Sequence, residues 1–189
     1  MSVPISLISE ERVPRSNENQ MIKADYIIIG IDPDTQKSGG ATLDTITRDI
    51  VLFSASFPEL LDYLQKVRQL ELQNYGKVVV VVEASWKISN NWHTKRGESI
   101  RVTASKGVDQ GRCAEVGKKI VECARHYGLE VVEKLPLKKI WKGPNGKITH
   151  EEMSAFIKLP GRTNQEQRDA ALLAWDYAGL PIRIITKNR

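Results

Sequence analysis

Four acidic residues stand where a sheet-based site would need them. Asp32 follows the apolar run Tyr26-Ile27-Ile28-Ile29-Gly30-Ile31, and Glu83 follows the five valines Val78–Val82. Glu166 and Asp169 lie three apart at the start of a last helix-like segment, a spacing that puts them on one helix face. Asp32 and Glu83 each close a strand-like run, and ligands of open α/β sheets bind outside the carboxyl ends of the strands. Carboxylates gathered there repel: two of them about 4 Å apart at an effective dielectric near 20 cost on the order of 4 kcal/mol. Such a cluster persists only if some members protonate or cations sit among them. Hard oxygen donors without His or Cys partners favour Mg²⁺ or Mn²⁺. A pair of such ions roughly 4 Å apart can activate a water and stabilise the leaving oxygen of a phosphodiester.

Each acid also has a plainer role. Asp32 could be a turn residue before Pro33, and Glu166 the third residue of a capping box begun by Thr163. Asp169 suits the dipole near a helix N-terminus. Glu83 is harder to explain away, because a charge directly after buried valines is costly unless paired or exposed.

The elements that must position these acids can be read from pattern. Tyr26–Ile31 and Lys77–Glu83 are short and apolar enough to be strands buried on both faces. Gly39–Asp44 and Asp49–Ala55 read as two further strands, linked closely enough for an antiparallel meander. Pro58 opens a helix with Leu60, Leu61, Leu64, Val67 and Leu70 at helical spacing. Residues 84–107 lack a clear period and read as a long loop with room for local helix. Asp109–Tyr127 is predicted helical with Gly128 as its stop, followed by a strand at Glu130–Val132. A short basic helix is predicted from Pro136 to Trp141, a helix capped by Thr149 and Glu152 follows, and a last helix runs to Tyr177. This is an α/β fold with a mixed five-stranded sheet whose first three strands are antiparallel, flanked by helices. Residues 1–22 read as a flexible arm, 23–180 as the folded domain and 181–189 as a tail.

At 189 residues, the chain is long enough for one core that needs no staples. Its longest all-apolar run is far short of the roughly 20 residues of a membrane span, and no secretory signal pattern opens it. Cys113 and Cys123 suit neither a zinc site nor a disulfide framework, so a cytoplasmic home is expected. The net charge is +5, yet from Trp86 to Lys147 there are 14 Lys and Arg against 6 Asp and Glu, a local +8 that leaves −3 elsewhere. That concentration argues for an anionic partner. Trp86 and Trp92 stand among Lys87, Lys95, Arg96, Arg101, Lys106 and Arg112, with Lys138 further on. Indoles offer base-stacking platforms and the cations neutralise phosphates; the plainer reading of Trp86 is packing at a loop edge. Trp141 and Trp175 read as core.

The series Ile28-Ile29-Gly30-Ile31-Asp32-Pro33, Val81-Val82-Glu83-Ala84-Ser85-Trp86 and Glu166-Gln167-Arg168-Asp169-Ala170-Ala171-Leu172 resembles RuvC-type Holliday junction resolvases of the RNase H-like superfamily. Gly111-Arg112, Val131, Lys138-Lys139, Gly143 and Lys147 agree in order and spacing. The resemblance implies an RNase H-like fold and four acids, Asp32, Glu83, Glu166 and Asp169, that bind two Mg²⁺ ions, with Mn²⁺ able to substitute. It implies Lys139 or Lys147 near the scissile phosphate and Trp86 at unstacked bases of the crossover. It also implies a homodimer, formed in part by the Asp109–Tyr127 helix, that nicks two strands of a four-way junction symmetrically, with a branch-migration motor as a possible partner. Asp34 departs from the family's usual glycine after Asp-Pro, and Glu166 is longer than its usual aspartate.

The expected activity is metal-dependent endonucleolytic cleavage of branched DNA, leaving 5′-phosphate and 3′-hydroxyl ends. Three alternatives compete: a nuclease for flaps or RNA–DNA hybrids, a non-catalytic junction-binding protein, and an actin-like ATPase suggested by the Gly39-Gly40 pair. The last conflicts with the chain's length.

Overall fold

A computed structural model describes residues 26–73, 76–88, 99–159 and 161–183. Five strands form one sheet: β1 (Tyr26–Asp32), β2 (Ser38–Asp44), β3 (Ile50–Ala55), β4 (Lys77–Glu83) and β5 (Glu130–Lys134), in the order β3-β2-β1-β4-β5. β1, β2 and β3 are antiparallel neighbours, while β4 runs parallel to β1 and β5 parallel to β4. This is the mixed five-stranded sheet, with its first three strands antiparallel, that the sequence predicts.

Alternation along β1 and β4 explains why both read as continuous apolar runs. Ile27, Ile29, Ile31, Val78, Val80 and Val82 enter one core with α1 (Phe57–Leu72) and α2 (Ile100–His126). Ile28, Val79 and Val81 enter a second core on the other face, with α3 (His150–Ser154) and α4 (Gln165–Tyr177). Between their ends neither face of these strands meets water, so the interior positions carry no polar residues and only the ends do. Among the described residues no helix is long and apolar enough to cross a membrane.

Three predicted elements are corrected. α2 starts at Ile100 rather than Asp109, with Ser99 as its N-cap. Its early turns bury no apolar face, for Ile100, Val102 and Val108 are all exposed, so hydrophobic periodicity could not reveal them. Ser85–Lys87 forms a single 3₁₀ turn, the kind of local helix that the sequence leaves room for within 84–107. The stretch from Pro136 to Trp141 is not helical. Lys138, Lys139 and Ile140 are successively exposed, which leaves no helical stripe to bury, and the segment is anchored by half-buried Leu137 and by Trp141, which stacks on Phe156.

The third correction moves a cap. Asn164 and Gln167, not Thr163 and Glu166, form the capping box of α4. The α3 cap is as expected, with Thr149 and Glu152 bonded reciprocally.

Candidate active site

The parallel register of β1 and β4 aligns Ile31 with Val82, so Asp32 and Glu83 emerge side by side at one rim of the sheet. α4 crosses β2 closely enough that an added Cβ at Gly39 would run into the Glu166 carbonyl. That approach brings Glu166 and Asp169 to the same rim, where all four acids line a cleft of about 690 Å³. Because Glu166 is outside the capping box, its carboxylate is released from the helix end. Lys138, Lys139 and Lys147 line the cleft as well.

Lys147 is delivered by a tight turn. Trp141 N–H bonds the Gly146 carbonyl at 3.1 Å and Gly143 N–H bonds the Lys147 carbonyl at 3.0 Å, with Asn145 and Gly146 in the left-handed region at φ 55° and 74°. The buried carboxylate of Glu152 holds the turn to α3, accepting from Lys142 N–H and from Thr149 N–H, each at 3.1 Å. Glu152→Ala would orphan these donors, and we expect a loss of about 2 kcal/mol in urea unfolding. Unchanged stability would contradict this role.

Arg168 performs the matching task on α4. Its guanidinium donates to the Ile148 carbonyl at 3.0 Å, to the Thr163 carbonyl at 2.8 Å and to Gln165 Oε1 at 2.8 Å. It thereby ties the first turn of α4 to the segment carrying Lys147. Lys147 Nζ then reaches Asp169 Oδ2 at 2.7 Å, while Gln165 Nε2 donates to Asp169 Oδ1 at 2.8 Å. Sequence reasoning found Glu152 only as a helix cap and missed Gln165 and Arg168. Only the placement of an arginine between two acids hinted at either of these two.

Burial pushes the Asp32 carboxyl well above the usual carboxylate range; repulsion from Glu83, Asp169 and Glu166 adds to it, against an opposing pull from Lys147. Burial and Asp169 likewise raise Glu83, partly offset by Lys139 and Lys147. Burial works to lower Lys147, but its bond to Asp169 and the charges of Asp32 and Glu166 leave it raised. At Asp32 and Glu83, burial and the neighbouring carboxylates together outweigh the pull of the lysines.

All four acids offer hard oxygen donors, which fits a divalent cation such as Mg²⁺. Among the described residues, however, no three His, Cys, Asp or Glu side chains converge into a ready-made cage. Asp169, with both oxygens engaged by Lys147 and Gln165, is one reason. Asp34 also lines the cleft, but its Oδ1 accepts from Gln36 N–H at 2.8 Å and so caps the turn after β1. Cys113 joins the lining from α2; burial and the charge of Asp34 push its thiol up, so it stays protonated.

The other predicted contact residues divide. Lys106 lines the cleft from α2, and Arg101 and Arg112 are exposed on the same helix. Trp86 is not brought to the cleft: its indole packs on Gly117, where an added Cβ would strike the ring, and donates to Glu133 at 3.3 Å. Lys87 pairs with the same Glu133 at 3.2 Å. Trp92, Lys95 and Arg96 lie outside the described residues. Of the small apolar surface of α2 expected at a dimer contact, Ala114, Gly117, Ile120, Val121 and Ala124 are buried within the chain and Val116 is half-buried. Gly39 and Gly40 lie inside β2, paired with β3, and form no phosphate loop.

No family model matches the chain, and no curated protein does. Among solved structures, the chain is similar to T. thermophilus RuvC in complex with Holliday junction substrate, at 14% sequence identity and a TM-score of 0.44, covering 81% of this chain and 92% of that chain.

Proposed function

We propose that the chain is a metal-dependent DNA endonuclease that resolves four-way junctions by paired symmetric nicks. The observation that carries this reading is the convergence of Asp32, Glu83, Glu166 and Asp169 with Lys139 and Lys147 on one cleft at the carboxyl ends of β1 and β4. The motif resemblance around these acids supports the same reading.

The four carboxylates would hold two Mg²⁺ or Mn²⁺ ions. When bound, such ions polarise a phosphodiester and ease deprotonation of a water. Asp32 and Glu83, pushed towards their neutral forms in the bare cluster, are restored to carboxylates by that positive charge. Lys139, exposed at the cleft, receives the backbone phosphate and steadies negative charge as the phosphorus–oxygen bond breaks. Cleavage leaves a 5′-phosphate and a 3′-hydroxyl. Arg101, Lys106, Arg112 and Lys138 extend the cation track for the arms of a branched DNA. Paired nicks need two copies of the chain, one for each strand.

A substrate panel tests this: a four-way junction, a flap, an RNA–DNA hybrid and linear duplex, each with and without Mg²⁺. Cleavage confined to the junction and dependent on Mg²⁺ is expected. Preference for the flap or hybrid would move the reading to another nuclease of the same fold. Salt-sensitive binding without cleavage of any substrate would replace it with a junction-binding protein.

A further inference from the structure

We propose that the Lys147 ammonium is a tethered counter-ion of the carboxylate cluster, which a divalent cation must displace from Asp169 in order to bind. The proposal rests on the reading of the cleft as a cation site. Asp169 is the acid nearest to being saturated: Lys147 Nζ takes one oxygen at 2.7 Å and Gln165 Nε2 the other at 2.8 Å. The ion pair is shielded, with the Asp169 side chain only 17% exposed, so the bond is charge-assisted and little screened.

The lysine is well suited to leave. Its turn is pinned through Glu152 and Arg168 by main-chain contacts, none of which involves the ammonium. The flexible stem of the side chain can therefore swing while the backbone stays fixed. Its side chain is 32% exposed, so the way into the cleft is open. A phosphate in the cleft would give the displaced ammonium a new anionic partner. Cation and nucleic acid then favour one another's binding, and by linkage the effect is reciprocal.

Mn²⁺ titration by calorimetry on the full chain, without DNA, tests the displacement. Lys147→Met should bind Mn²⁺ about tenfold more tightly than wild type, because no charge-assisted bond has to be broken. Lys147→Arg, which keeps the cation, should stay close to wild type. Equal or weaker binding by Lys147→Met overturns the proposal while leaving the cation site standing. Absence of Mn²⁺ binding in every variant and in wild type overturns both.

A readout on wild type alone covers the case in which the variants do not fold. A hydrogen-bonded lysine ammonium resonance in ¹⁵N NMR of the cation-free protein should disappear as Mg²⁺ saturates the site. Its persistence while Mg²⁺ binds would show that the ammonium is not displaced.

Discussion

Asp32→Asn should lose junction cleavage by on the order of a thousandfold or more, since several kcal/mol of transition-state stabilisation depends on the ions its carboxylate helps to hold. The same substitution should stabilise the cation-free protein at neutral pH. Asp32 is raised by burial first and then by Glu83, Asp169 and Glu166, so its folded-state pKa lies above the ordinary value of 3.8. Between those two values the folded chain holds a proton that the unfolded chain has lost, and stability falls as pH rises. Below 3.8 both states are protonated and this cost is absent, whereas above the folded value it is present in full.

Glu133 works in the opposite direction. Its burial is outweighed by the bonds from Arg125 and Lys87, which hold its carboxyl low. The informative quantity is therefore the difference between wild type and Asp32→Asn. Thermal midpoints measured without divalent cations should diverge with rising pH, with the variant the more stable. Parallel curves would mean that Asp32 carries no electrostatic cost.

Gly39→Ala is expected to be among the most damaging changes outside the acids. Gly39 does not occupy the left-handed region, so on backbone grounds alone alanine would stabilise by up to about 1 kcal/mol through the unfolded chain. The new methyl group would instead collide with main-chain atoms of Glu166, which cannot rotate away as the tip of a side chain could. We expect a net loss of about 3 kcal/mol, a fall of roughly 10 °C in midpoint. Mn²⁺ affinity should fall with it, because α4 carries both Glu166 and Asp169. A midpoint equal to or above that of wild type would show that α4 yields freely and that its close seat on β2 does not fix the acids.

The parts of this arrangement that were legible in sequence are those whose chemistry is local. The valines of β4 and the isoleucines of β1 announce strands buried on both faces, and the acids that end them announce a rim. The start of α2 is hidden because its first turns bury no apolar face, and the basic stretch 136–141 stays irregular because the fold leaves Lys138, Lys139 and Ile140 in water. Trp86 resembled a stacking platform on composition, yet it packs on Gly117, a residue from a helix whose approach no local pattern reveals. The roles of Arg168 and Glu152 depend on partners such as Ile148 and Lys142 that only the packing of α4 and α3 supplies, and Gln165 matters because the Asp169 it bonds also meets Lys147. The cap of α4 was misread by one residue, and that residue decides whether Glu166 is bound to the helix end or free to face the cleft.

Cleavage of a synthetic four-way junction in Mg²⁺ by wild type and by Glu83→Gln, with binding measured in parallel, tests the central claim most directly. The expected result is paired symmetric nicks with 5′-phosphate ends for wild type, and retained binding without cleavage for the variant. A folded wild type that leaves the junction intact, or a Glu83→Gln variant that cuts it undiminished, would contradict the claim.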